Sequence, residues 1–211
     1  MKPLPIVIVL LALGACASGP RGSPPVEVYD FGSAVEQSVR EAGWSSIALE
    51  VRAPSWLDSS AIEYRLLYDS PFRLRSYSLS RWAGGPAQLL AQRLRQQLGM
   101  AGSSGRVAVS CVLRFELEEF AQLFDTPERS RGSVRGRAKL LDARHRIVAE
   151  RAMSSEQPAA TGDARGAVRA MVAAGDSLAG QFASWLNDLD KRGRLTICRP
   201  SAGDDQEHSP L

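Results

Sequence analysis

The chain is 211 residues long, 44% hydrophobic and 23% charged. Those fractions are ordinary for a globular protein and argue against both an intrinsically disordered chain and a multi-span membrane protein. A formal net charge of +3 is small for this length and argues against nucleic acid as a partner.

The first element is a leader. Lys2 precedes an apolar run over residues 4–13 that is broken only by Pro5. The run is roughly half the ~20 residues that cross a bilayer, so residues 1–15 read as a signal peptide, which targets the chain and is removed. The segment Leu13-Gly14-Ala15-Cys16 sharpens this, because a Leu three positions before a cysteine, with small residues between, resembles the bacterial lipobox. The resemblance implies cleavage between Ala15 and Cys16, a thioether lipid on Cys16 and a further acyl group, such as palmitate, on its new amino terminus. Three acyl chains exceed the two signals that stable anchoring needs. An ordinary signal peptide ending at Ala15, with an incidental cysteine after it, fits the same small residues. Ala17 and Ser18 follow the cysteine where an Asp would favour retention at the inner membrane, so the expected address is the periplasmic face of the outer membrane.

Residues 16–25, the lipidated cysteine followed by Gly, Ser, Pro and Arg, form a flexible tether. A strand is expected at 26–31 and a short helix at 33–43. Ile47, Leu49 and Val51 alternate with Ala48, Glu50 and Arg52 as in a half-buried strand, which Pro54 stops. A third strand is expected at 62–68, a turn at Asp69-Ser70-Pro71 and a fourth strand at 72–79. Pro86 suits a first helical position, and Leu90, Leu94 and Leu98 then fall four apart. Arg93 and Arg95 are expected away from that leucine edge. Residues 99–105 read as a loop.

From Val107 to Leu117 runs the longest alternation in the chain. Turn-forming residues follow at 125–132, then two strands at 134–141 and 147–154 joined by a hairpin at 142–146, so that 107–154 reads as an antiparallel meander. Gly162-Asp163 caps a last helix of roughly 26 residues, about 40 Å long, with its apolar stripe running from Val168 to Leu189. The order strands, helix, strands, helix implies an α+β fold: a mixed or antiparallel sheet with two main helices packed on it. The folded domain is expected over 26–190, with a polar tail at 191–211.

Catalytic motifs are scarce. Gly175-Asp176-Ser177-Leu178 has the letters of the GDSL hydrolase nucleophile block, and Asp205-Gln206-Glu207-His208 those of its base. A nucleophilic serine needs an exposed turn after a strand, however, and Ser177 falls inside a helical stripe. His145 lies in an expected hairpin turn between Arg144 and Arg146. With two histidines and no cysteine–carboxylate cluster, neither a metal site nor a cofactor is expected. The chain reads as a non-enzyme.

Two clusters remain. Arg135, Arg137 and Lys139 project from one face of a strand in an arginine-rich segment. They read either as a solvated face or as a contact for an acidic partner protein or lipid phosphates. Cys111 and Cys198 are the only intramolecular pair left once Cys16 is lipidated; Cys111 either bonds Cys198 or packs as a buried thiol.

A family resemblance follows from the order of these pieces. Tyr29, Pro54-Ser55-Trp56-Leu57-Asp58, Ile62-Glu63-Tyr64-Arg65, Trp82 ahead of Pro86, Arg137-Ala138-Lys139-Leu140-Leu141-Asp142 and Trp185-Leu186 follow a lipobox. Together they resemble the ABC-type transport auxiliary lipoprotein family, which includes the lipoprotein of paraquat-inducible systems. The resemblance implies an outer-membrane lipoprotein without catalysis of its own. It would work with an MCE-domain protein, and through it with a permease and an ATPase, in moving lipids or other hydrophobic compounds across the envelope. It leaves room for a homo-oligomer. The competing reading is a free-standing envelope lipoprotein that binds cell-wall or lipid ligands.

Overall fold

The computed structural model describes residues 24–33, 44–102 and 109–199. The signal peptide, Cys16, most of the tether, the helix expected at 33–43 apart from its first residue, and His208 lie outside the described residues. Among those described, no helix is long and apolar enough to cross a membrane.

One long strand, β6 (Cys111–Thr126), organises an eight-stranded mixed sheet. Along one edge it pairs antiparallel with β7 (Arg129–Asp142), which pairs antiparallel with β8 (Ile147–Pro158). Two shorter strands share its other edge, both parallel to it: β2 (Ile47–Arg52) against 111–116, and β3 (Ala61–Leu66) against 122–124. The sheet therefore forks. β2 carries the two-residue β5 (Ala101–Gly102), while β3 carries β4 (Arg75–Trp82) and β4 carries β1 (Glu27–Tyr29). Between the two branches the register of β6 shifts from Leu117 to Glu119, an irregularity that lets one strand serve two partners. The chain leaves β2 just before Pro54, which cannot donate to a ladder, buries Leu57 and returns in the same direction as β3.

Helices α1 (Pro86–Leu98) and α2 (Ala164–Lys191) cover one face, giving the α+β architecture. Paired rows such as Leu49, Leu113, Leu140 and Val51, Phe115, Ala138 point toward them. Phe115 meets Phe182 of α2 edge-on at 5.4 Å, and Phe31, Trp82 and Phe120 pack together at 5.6–6.0 Å. Fully burying such side chains contributes ~1.5–3 kcal/mol each. At Gly132 of β7 a Cβ would lie 2.6 Å from the backbone of Ala170 and Met171, so glycine is what lets α2 lie flat on the sheet.

Several expectations are corrected. Residues 125–132 are not a turn: β6 runs to Thr126 and β7 starts at Arg129, leaving a two-residue turn at Pro127 and Glu128. The polar side chains there are satisfied across strands, with Arg131 pairing to both Asp125 and Glu156. The fourth strand starts at Arg75, and Phe72 sits in the preceding loop, 93% exposed. The long strand starts at Cys111, after Val109 and Ser110. The expected loop at 99–105 contains β5.

The molecule has two distinct ends. β3 finishes beside Phe124, so the β3–β4 loop and the β6–β7 turn lie at one end, and the chain enters β1 from the side where β4 begins. The β7–β8 hairpin, the start of β6 and the end of α2 lie at the other.

Candidate docking surfaces

The face without helices is a grid of charge. Glu50, Arg114, Lys139 and Glu150 stand in one row across four strands, and Arg52, Glu116 and Arg137 in the next. Alternation along each strand puts these side chains opposite the core-facing ones, and direct or diagonal cross-strand neighbours supply unlike charges even though Arg114 faces Lys139. Lys139 Nζ donates to Glu116 at 2.6 Å and Arg137 Nη1 to Glu150 at 2.8 Å, while Arg114 Nε donates to Glu50 at 3.2 Å. Arg135 lies 3.4 Å from Glu119. Arg135, Arg137 and Lys139 thus share a face, but each has a carboxylate against it, contributed by β6 or β8. The stripe is not a bare cationic patch. Each such solvated pair contributes ~0.2–1 kcal/mol.

The covered side holds a polar node that sequence patterning misses. Arg93 of α1 is 3% exposed rather than turned outward, because α2 supplies its counter-charge. Its Nε and Nη2 donate to the two carboxylate oxygens of Asp176 at 2.7 and 2.8 Å, and Gln97 Nε2 donates to the same group at 2.7 Å. Arg93 Nη1 also donates to the carbonyl of Ser33 at 2.9 Å. Gly175 beside it lets Leu90 approach, a Cβ there lying 3.1 Å from Leu90 Cδ1, and Leu178 is buried in the core. Three of the four letters Gly-Asp-Ser-Leu are therefore accounted for by the crossing of two helices. Ser177 lies within α2, not on a turn after a strand.

At the far end, Cys111 and Cys198 are disulfide-bonded and close a loop with a sequence separation of 87. Chain entropy makes such a closure worth about 4–5 kcal/mol. It pins the 3-10 turn at Thr196–Cys198 to the start of β6, where Ser46 Oγ also donates to the Cys198 carbonyl at 2.7 Å. In the β7–β8 hairpin the Asp142 carboxylate accepts from the backbone N–H groups of Arg144 and Arg146, each at 2.9 Å. The Arg146 N–H foremost holds Asp142 below the usual carboxylate range. His145 takes φ 60° at the tip, so it is a turn residue. Among the described residues no group of three or more His, Cys, Asp and Glu could hold a metal ion. Ile147 and Ile197 are half-exposed at this end, in a neighbourhood carrying Arg144, Arg146, Arg192 and Arg194.

Clefts among the described residues include the following pair. One, of about 280 Å³, lies between Asp30 and the α1 residues Gln88, Gln92 and Gln96. The other, of about 460 Å³, lies between β4 and the start of α2, lined by Glu27, Tyr29, Tyr77, Asp163 and Arg165. Both linings mix polar with apolar side chains, Phe31 and Leu89 in the first and Tyr77 and Leu79 in the second. Glu63 of β3 is buried, and burial pushes its carboxyl up to about 7 against the opposing pull of Arg65.

Taken together, these features define a two-helix α+β domain on a forked mixed sheet, with its polar chemistry on faces and ends. The model of the ABC-type transport auxiliary lipoprotein component family matches residues 29–183, well over half of the chain, and the chain belongs to that family. It is thereby a lipoprotein component auxiliary to ABC-type transport. A crystal structure of a Xanthomonas campestris protein of the DUF330 family is similar, with TM-score 0.60 and 19% identity over 73% of this chain and 92% of that one. A crystal structure described as an uncharacterized protein gives TM-score 0.59 and 14% identity over 77% of this chain and 99% of that one. At such identities the likeness shows the fold alone. No curated protein matches the sequence.

Proposed function

We propose that this protein is an outer-membrane lipoprotein, anchored through Cys16 and facing the periplasm, that serves an MCE-type ABC transport system for lipids or other hydrophobic compounds. It acts as an adaptor, without catalysis of its own. The observation that carries this reading is the matched family domain lying directly behind Leu13-Gly14-Ala15-Cys16 on one chain. The engagement of Asp176 by Arg93 and Gln97 gives the Gly-Asp-Ser-Leu letters a structural occupation, which supports the non-catalytic part of this reading.

Anchoring and partner are tested together by affinity purification of the native lipoprotein from envelope membranes. Recovery of an MCE-domain protein with its permease and ATPase is the expected result. Recovery of peptidoglycan fragments without any MCE protein would instead support a free-standing envelope lipoprotein. An esterase activity lost in Ser177→Ala would contradict the adaptor reading outright.

A further inference from the structure

Exposed apolar side chains are unevenly spread. Five of the eight large hydrophobic residues exposed among those described lie at or in β1 (Val26 just before it, Val28 within it), in β4 (Leu79) or in the loop between β3 and β4 (Tyr68 and Phe72). Phe72 is the extreme, at 93% exposed. It stands in the turn after Asp69-Ser70-Pro71, and the stretch 65–75 carries three arginines, Arg65, Arg73 and Arg75, against one acid, Asp69. Asp69 is taken up by Arg75 at 2.5 Å, and Arg65 lies 3.9 Å from Glu119, whereas the guanidinium of Arg73 has no partner among the described residues. Exposed apolar area of this size is unfavourable in plain water, while the guanidinium beside it is free to take an anionic group. Together they suit a bilayer interface, where the ring enters the acyl boundary and the guanidinium meets lipid phosphate.

Topology says which bilayer this loop can reach. β1 runs parallel to β4 with Glu27 opposite Ser80, so the chain preceding β1 comes from the end at which β4 begins, directly after the Phe72 loop. Pro24 follows Cys16 by eight residues, which span at most ~29 Å even when fully extended. The sixteen residues of β6 extend ~50 Å from this end to the disulfide end. An anchor at Cys16 therefore holds the Phe72 end near the membrane and keeps the β7–β8 hairpin away from it.

We infer that the β3–β4 loop is an interfacial membrane contact: Phe72 and Tyr68 enter the headgroup region of the bilayer holding the Cys16 anchor, with Arg73 on lipid phosphates. The domain then stands on the membrane in one orientation. The inference rests on the proposed lipidation of Cys16.

The test places an environment-sensitive fluorophore on Phe72→Cys or on Arg144→Cys in the lipidated full-length mature protein. The protein is reconstituted into vesicles of phosphatidylethanolamine and phosphatidylglycerol. Both positions are exposed and leave the fold intact, and the introduced thiol is the one left for labelling once Cys16 is acylated and Cys111 is bonded to Cys198. A blue shift at 72, with quenching by interfacially labelled lipid, and no change at 144 are expected. Flotation of the unlabelled protein reports the anchor separately. Vesicles that float with the protein while position 72 remains fully aqueous would overturn the loop contact and spare the anchor. Protein that fails to float would overturn both. A shift at 72 that appears only when an MCE-domain protein is added would overturn the lipid contact and give the loop to a protein partner.

Discussion

The two faces of the β6–β7–β8 meander are built from the same strands and hold by different means. Toward the helices, alternate residues are apolar and closely packed, and the ion pair of Arg93 with Asp176 ties α1 to α2 with its guanidinium buried. Toward solvent, the intervening residues are Glu, Arg and Lys in alternating rows. Burial makes the first face sensitive to any change of shape or charge, because neighbours cannot move away and lost contacts are not replaced by water. On the second face water replaces what a substitution removes. The open face is also protected from pairing with other apolar surfaces by its charge, and the edge strand β8 ends at Pro158.

Substitutions can break this contrast from either side. The largest effect is expected from Gly132→Val: its side chain would collide with the α2 backbone, and loss of the helix seat should cost more than ~4 kcal/mol, read as a collapse of the chemical-denaturation midpoint. Next, Asp176→Ala strands the guanidinium of Arg93 in the helix crossing, with a loss of roughly 3 kcal/mol, whereas Ser177→Ala should leave the midpoint within ~0.5 kcal/mol of the parent.

A smaller, pH-dependent effect is expected at Glu63. Its carboxyl titrates near 7 in the folded chain, above its ordinary 4.5. Between those values the unfolded chain gives up the proton while the folded chain keeps it, so this residue lowers stability progressively from pH 4.5 to 7 and by a constant amount above. Glu63→Gln should raise Tm by roughly 2–4 °C at pH 8 and leave it unchanged at pH 4. The smallest effect belongs to the grid. Arg137→Glu should lower the denaturation midpoint only slightly, and adding Glu150→Arg should recover most of that shift, which a double-mutant cycle in low salt would measure.

Much of this architecture is legible in the residues. The leucine spacing of α1, the stripe of α2 and the alternation that begins near β6 follow from periods of 3.6 and 2, which the packed core enforces. Where patterning misleads, partners distant in sequence are responsible. Arg93 looks like a surface residue because Asp176 is 83 positions away, and 125–132 looks like a turn because its polar residues find each other only after the strands pair. The fork in the sheet leaves no mark in the local pattern, since β2 and β3 each look like ordinary strands and only β6 shows that they share an edge. For the docking surfaces, the basic stripe is legible but its neutralisation is not, since the carboxylates come from β6 and β8. The tether end and far end emerge only from the direction of β1 against β4.

If the protein is the lipid-anchored adaptor proposed above, it should meet its transport partner at the end away from the anchor. Photo-crosslinkers placed singly at Ile147 and Ile197 on the far end, and at Arg137 on the open face, test this in intact cells. The account predicts that 147 and 197 capture an MCE-domain protein and that 137 does not. Capture of no MCE protein from any position, in cells that contain one and carry the lipidated chain, would contradict it.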